Sequence, residues 1–266
     1  MTHTEMGVRR FGRVNWLGCA TLARREVMRF VAVWSQTLMA PLITAALYLA
    51  VFSLAVGPAR GTVQGVPFLD FLAPGILMMT VIQNAFANTS SSIVVAKVQG
   101  NIVDTLMPPL SAGELVAGYI TGGVARGLVV AVAIWLVMAL FLGIGMAHPL
   151  WTAIFFLLGA SLMGGLGIIA AIWANKFDQM AVITNFVITP LSFLSGTFYS
   201  IERLPPVMQT LSRANPFFYL IDGVRYGILG VSDANPVIGL AVCLPTTAAV
   251  LALCWYWFRI GYRMKA

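Results

Sequence analysis

The sequence predicts an all-α integral membrane protein with six transmembrane helices, an N-terminal interfacial amphipathic helix and short re-entrant outer helices between spans five and six. Three observations carry that prediction. Only 9% of the 266 residues are charged, 59% are hydrophobic and the mean hydropathy is +0.89. A soluble domain carries about a quarter charged residues, and no sphere of this size could hide so many apolar atoms from water. The charges leave five uncharged stretches, residues 30–59, 71–96, 127–175, 179–201 and 234–258. Finally, the basic residues gather on alternate connections. Disorder, collagen and a disulfide scaffold are excluded, since each needs low hydrophobicity, a glycine period or many cysteines. Cys19, Cys243 and Cys254 have no metal-ligand or CxxC spacing and read as small apolar residues.

Residues 1–30 form a cytoplasmic segment rich in arginine. Within it Trp16, Ala20, Ala23, Val27 and Phe30 recur at spacings of four and three, with Arg25 and Arg29 projecting from the opposite face. That pattern reads as an interfacial helix; a disordered basic arm that only sets topology is the alternative. No short apolar region with a small-residue cleavage site precedes it, so no cleaved signal peptide is expected. A helix needs about 20 apolar residues to cross the hydrocarbon core. Four of the uncharged stretches hold one span each, and the longest, 127–175, holds two, separated by Gly143-Ile144-Gly145-Met146-Ala147-His148-Pro149. The spans are placed at 31–56, 70–95, 116–142, 150–173, 180–198 and 236–258, inside a transmembrane domain of residues 31–258, followed by a cytoplasmic tail, 259–266.

An even number of spans puts both termini on one side. The N-terminal segment, the second and fourth loops and the tail carry eleven Lys and Arg, against four in the opposite loops, namely Arg60, Arg203, Arg213 and Arg225. The positive-inside rule makes both termini cytoplasmic. The net charge of +7 is thus a topology signal plus attraction to the headgroups of membrane lipids, and no nucleic acid is expected as a partner.

No GxxxxGK[ST], HExxH or GxSxG pattern occurs, and His3 and His148 lie far apart in the chain. Every carboxylate falls at a span end or in a loop, whereas an ion-coupled carrier ordinarily places one near the midplane. No catalytic, cofactor or metal residue is assigned. Two polar stripes stand out inside spans: Thr80, Asn84, Asn88 and Ser91 in the second, and Asn185, Thr189 and Ser192, continued by Gly196, in the fifth. They either line a substrate pathway or bond packed helices together. Gly118/Gly122 and Gly123/Gly127 in span three, with Gly159, Gly164, Gly165 and Gly167 in span four, suit close helix packing. Arg126, the one formal charge within a span, either snorkels or pairs structurally, or it serves coupling or substrate passage.

The segment after span five, 199–233, is unlike a simple loop. Pro205 and Pro206 suit the first turn of a short helix, Asn215-Pro216 suits its end, and a second short piece carries Tyr219, Asp222 and Arg225. Together with Tyr199 these residues make an amphipathic outer element, a re-entrant segment or a lid. The pattern Pro-Leu-x-Phe-Leu-x-Gly-x-Phe-Tyr from Pro190 to Tyr199, then Leu204-Pro205-Pro206, Asn215-Pro216-x-x-Tyr219 and the later Arg225 resembles the C-terminal signature of the ABC-2 family of transporter permeases, most closely its bacterial YadH-type members. Pro74-Gly75 in span two, Lys97-x-Gln99-Gly100-Asn101, Pro108-Pro109 and Gly122-Gly123-Val124-Ala125-Arg126-Gly127 extend the resemblance over nearly the whole chain.

The resemblance implies a six-span half-transporter in the bacterial cytoplasmic (inner) membrane that forms a homodimer with a second copy of itself and recruits a separate ABC ATP-binding subunit. ATP and Mg would sit on that partner and no cofactor in this chain, which would perform no bond chemistry. The family reading also gives the cytoplasmic loop 97–113 a role, with Gly100, Asn101, Ile102, Asp104 and Leu106 on a short coupling helix, Ile102 and Leu106 facing the partner, and Pro108 and Pro109 stiffening its return. The expected function is that of the permease subunit of an ATP-powered exporter. An ATP-independent channel or carrier, or a membrane scaffold subunit, are the other classes, and the cargo stays open.

Overall fold

A computed structural model of the chain describes residues 14–55, 61–201 and 204–264. Arg9, Arg10, Arg13, Arg60, Arg203 and Lys265, all part of the basic asymmetry, lie outside the described residues.

The chain opens with α1 (Trp16–Val31), capped by the Asn15 side chain accepting from Gly18 N, and continues into α2 (Trp34–Ala55). A small hairpin follows, β1 (Thr62–Val63) paired antiparallel with β2 (Val66–Pro67). It is the one departure from the expected all-α fold among the described residues. Gln64 and Gly65 both have positive φ, 53° and 80°, which makes the two-residue turn that a tight hairpin requires. Next come α3 (Phe68–Val98), the short α4 (Ile102–Leu106), α5 (Ala112–Leu142) and α6 (Pro149–Trp173). Ser111 and Glu114 start α5 with a capping box, and Gly143, at φ 67°, ends it.

The fifth expected span differs from the plan. Instead of one helix over 180–198, the chain forms α7 (Phe177–Ile183), a π-helical turn (Thr184–Ile188) and α8 (Thr189–Phe193), of seven, five and five residues. Pro190 is the cause: it has no N–H to offer the preceding turn and its ring crowds the carbonyl there, so the helix widens to i→i+5 bonding just before it. At 1.5 Å per residue the whole piece is about 25 Å long. The outer segment then holds α9 (Pro206–Ala214) and α10 (Pro216–Leu229), and α11 (Pro236–Ile260) ends the fold. Asn215-Pro216 and Asn235-Pro236 use one device twice, an Asn cap whose side chain accepts from the second helical N–H, followed by Pro in the first turn.

Among the described residues five helices, α2, α3, α5, α6 and α11, are long and apolar enough to cross a membrane. α3 is the most buried of them and forms the axis of the bundle, flanked by α5 and α6. Two overlapping glycine pairs on α5 serve different partners. A Cβ on Gly118 or Gly122 would lie 2.5 Å from Leu22 or 2.4 Å from Glu26, both on α1, whereas one on Gly123 or Gly127 would meet Thr89 or Val81 of α3. The expected close packing is therefore present, with half of it spent on seating α1. The face that α1 buries is Leu22, Glu26 and Phe30; Trp16, expected on it, is 76% exposed.

One end of the bundle gathers α1, the loop before α5, residues 174–176 and the C-terminal residues. There Asn15 N donates to Glu114 Oε1 (2.7 Å), Lys97 Nζ donates to the carbonyls of Ala171, Ile172 and Ala174, and Arg263 donates to Trp173 O. Lys97 thereby caps α6, placing a cation where its dipole favours one. The opposite end gathers the hairpin, the 143–148 turn and α9–α10: Gln64 Nε2 donates to Asp233 Oδ1 (2.5 Å), and the N–H groups of Ala147 and His148 donate to Ile228 O and Gly227 O.

Candidate functional site

α3 carries its polar stripe into an open cleft of 530 Å³ formed with α7, the π turn and α8. Asn84 and Ser91 from the second expected span face Asn185 and Thr189 from the fifth across it, and Gln83 and Ser90 add polar lining that the sequence reading did not select. Among the described residues no hydrogen bond joins the two stripes across the cleft; Asn84 bonds Thr80 O and Arg126 instead, and Ser91 bonds Arg29. The other three stripe residues bond elsewhere. Thr80 and Ser192 are buried and donate to carbonyls of their own helices, at Ile76 and Ile188, and Asn88 is 0% exposed between α3 and α5. A second cavity of 490 Å³, almost wholly apolar, lies on the other side of the broken helix, between it and α6 and α11; Phe86 and Ile188 are walls of both.

Behind the cleft sits an arginine network that the sequence reading missed. Glu26, fully buried on α1, accepts from Arg25 Nη2 (3.0 Å), Arg29 Nη2 (3.3 Å) and Ser92 Oγ (2.8 Å). Arg29 continues to α3, donating to Ser91 Oγ (3.0 Å), Asn88 Oδ1 (3.2 Å) and Asn88 O (2.5 Å). Arg25 runs the other way, donating to Thr105 Oγ1 of α4 (2.9 Å) and to Tyr119 Oη of α5 (3.5 Å). Burial lowers the Arg25 pKa, but the facing Tyr119 and Glu26 more than offset this and leave it raised. One turn along α3, Arg126 Nε donates to Asn84 Oδ1 (3.2 Å). The available signal was Gly118 and Gly122, whose missing side chains make room for Leu22 and Glu26 on α1.

The short helix α4 lies on the same end as α1. Gly100, at φ 75°, turns the chain into it, and Pro108-Pro109 ends it. Asp104 and Asn101 are exposed, with Val103 (47%) and Met107 (77%), and Leu106 is half-buried. Ile102, expected to face a partner, points inward and is 2% exposed. A lone isoleucine on a five-residue helix lying on the bundle gains more by joining the core than by facing water. Between α4 and α1 runs a groove of 370 Å³ lined by Asn15, Gly18, Thr21, Arg25, Asp104 and Pro109.

At the other end the outer element is locked by a buried ion cluster. Arg225 is 0% exposed, donates to Asp222 Oδ1 (3.3 Å), Gly196 O (2.7 Å) and Phe71 O (3.4 Å), and stacks on the Phe71 ring at 4.0 Å. Asp222 also accepts from the N–H groups of Asp233 and Ala234, which fixes the turn into α11. Asp233 lies 3.9 Å from Arg225 and accepts from Gln64, Ser200 and Ile201 N. Asn215 caps α10 and donates to Ser195 Oγ (3.1 Å), Tyr199 Oη donates to Leu194 O (2.8 Å), Pro205 precedes α9, Pro216 opens α10, and Tyr219 packs on Phe218. Arg225 and Asp222 are thus buried and bonded internally, whereas Tyr199 and Asn215 also line a cavity of 380 Å³ beside α9. Among the described residues no group of three or more His, Cys, Asp or Glu is placed to hold a metal ion.

Comparison with known proteins agrees with this architecture. The family model described as ABC-2 type transporter matches residues 18–229. The chain is 36% identical over 251 residues to the inner membrane transport permease YadH of Escherichia coli K12, covering 94% of this chain and 98% of that protein. It is also similar to nodulation protein J of Rhizobium leguminosarum bv. viciae, at 25% identity over 233 residues, 87% of this chain and 88% of the relative, and to nodulation protein J of Neorhizobium galegae, at 24% over 236 residues. The chain belongs to the ABC-2 type transporter family and is a multi-pass transmembrane permease component.

Proposed function

We propose that this ABC-2 permease is half of an ATP-driven exporter: a six-crossing subunit of the bacterial inner membrane with both termini in the cytoplasm, working as a pair with a second copy and powered by a separate ATP-binding subunit. The pathway is the cleft between α3 and the broken helix Phe177–Phe193, which serves as the sixth crossing despite its length. ATP and Mg belong to the partner, and this chain carries out no bond chemistry.

The observation that carries the reading is a continuous set of polar contacts from the cytoplasmic loop to the cleft. Thr105 on α4 holds Arg25, Arg25 and Arg29 share Glu26, and Arg29 holds Ser91, which lines the cleft. A partner can drive a conformational change only through contacts that differ between two states, and here a push on α4 or α1 reaches the cleft wall through ion pairs rather than through lipid. The exposed Val103, Asp104 and Met107, with the adjacent groove, are the docking surface for the ATP-binding subunit.

The test is affinity purification of the full chain from its native membranes. A protein bearing the GxxxxGK[ST] motif should co-purify in equal amount, and its ATPase activity should change when Asp104→Arg is introduced. Recovery of the permease alone under conditions that retain its bilayer lipids would overturn the proposal and make it a carrier or channel.

A further inference from the structure

Arg126 sits near the middle of α5, a helix long and apolar enough to cross a membrane, and among the described residues no carboxylate pairs with it. Its Nε donates to the neutral Asn84, and it forms no ion pair among the described residues. Arg29 and Arg126 are anchored on successive turns of one α3 face, through Asn88 and Asn84, so their anchor points are about 6 Å apart along the helix. The network as a whole sets three guanidinium groups, Arg25, Arg29 and Arg126, against the one carboxylate of Glu26. Donors are likewise in excess: Asn88 Nδ2 is buried without an acceptor, its Oδ1 being taken by Arg29.

An intramembrane charge left without a protein partner is expensive, and it is kept where it serves passage of a ligand. Arg126 and the Arg29 side chain are both partly exposed, the latter at 35%, and Asn84 and Ser91, which hold them, also line the cleft. We infer that Arg126 and Arg29, held directly behind the cleft wall by Asn84 and Ser91, form a receptor for an oxyanion, a phosphate or carboxylate group carried by an amphiphile that enters the cleft. The apolar part of the cleft itself, walled by Phe86, Val94, Phe177, Met180 and Ile188, is placed to take the amphiphile's hydrocarbon part. Two sources share this chemistry, an anionic bilayer lipid and the cargo itself. Only the assignment to cargo rests on the function proposed above, because the binding site is a property of this chain alone.

The experiment uses the full chain, purified in dodecyl maltoside without any ATP-binding subunit, and measures scintillation-proximity binding of ³²P-labelled dodecyl phosphate. Saturable binding is expected that inorganic phosphate displaces only weakly, for lack of an apolar tail. Arg126→Gln should weaken binding about tenfold or more, the usual worth of a charge-assisted bidentate contact, while Arg126→Lys retains part of it. Asn84→Asp is the decisive variant. It sets a carboxylate against Arg126 in nearly the same volume, at the cost of the Asn84 donor to Thr80 O, so the ligand should be lost while the protein still folds, read as a retained cooperative melt. An excess of phosphatidylglycerol over phosphatidylcholine that displaces the probe assigns the site to bilayer lipid; persistence of binding assigns it to cargo. Absence of saturable binding in the unaltered chain, or binding in Arg126→Gln and Asn84→Asp as tight as in the unaltered chain, overturns the inference without touching the pairing with an ATP-binding subunit.

Discussion

Glu26→Ala removes the carboxylate on which α1 is pinned, and its cost follows from the geometry. Glu26 is fully buried and accepts from Arg25, Arg29 and Ser92, so its loss strands two cations and a hydroxyl. Breaking a fully buried ion pair costs about 3–5 kcal/mol. Here the arginine side chains are 47% and 35% exposed and can rehydrate, which brings the expected loss down to about 2–3 kcal/mol. The loss falls on the docking of α1 rather than on the whole bundle, because Glu26 joins α1 to α3 and to the Gly122 notch of α5. Hydrogen–deuterium exchange reads this as local opening. Amides between Leu22 and Phe30 should exchange roughly 30- to 150-fold faster, since about 1.4 kcal/mol is a factor of ten, while those of α6 stay unchanged. Glu26→Gln, which keeps the acceptor for Ser92, should fall between, and Met28→Ala, at an exposed position, should do nothing. Unchanged exchange across α1 in Glu26→Ala would refute the clamp and with it the route from α4 to the cleft.

The other predictions test position and packing. Gly167→Ala places a Cβ 2.2 Å from Thr89 Oγ1 and 2.7 Å from Phe86 O, and since the backbone carbonyl cannot swing away it should cost about 1–3 kcal/mol, read as a lower melting temperature in detergent. Asp104→Arg on the exposed side of α4 should leave melting unchanged yet alter the ATPase activity of the co-purified subunit, whereas Ile102→Asp, which buries an unpaired carboxylate, should lower the melting temperature; the reverse order would put the docking surface elsewhere. Cysteine at Thr62 or Gln209 should react with an impermeant reagent outside intact cells while cysteine at Gln99 does not, and reversed labelling would invert every loop.

Most of the fold was legible because lipid makes the hydrophobic pattern a direct measure of where helices run. The uncharged stretches mark α2, α3, α5, α6 and α11, and Asn215-Pro216, which suits the end of a short helix, falls between α9 and α10. Composition does not report on bonding register, which is why the fifth stretch read as one helix and proved to be three segments. The warning was Pro190, ten residues into that expected span, at a position where a helix must give up a bond. The hairpin escaped for a similar reason, since two residues on either side of Gln64-Gly65 are too few for alternation to register.

The site was half legible, and the missing half centres on the charge of Glu26 and the arginines around it. A polar stripe on an apolar helix announces itself by contrast, so Asn84, Ser91, Asn185 and Thr189 could be found without knowing that they face each other. Glu26 lies among arginines in a segment whose basic residues already had a use as a topology signal, and nothing along the chain separates a solvated glutamate from one locked at 0% exposure. What separates them is the surface opposite: Gly118 and Gly122 leave a notch on α5 with the i,i+4 spacing of Leu22 and Glu26. Such a notch could serve another span equally well, and in this chain the next pair, Gly123 and Gly127, does that for α3. A residue spacing thus states that a helix will approach closely; which helix comes, and whether it brings a charge, is decided by the fold that surrounds it.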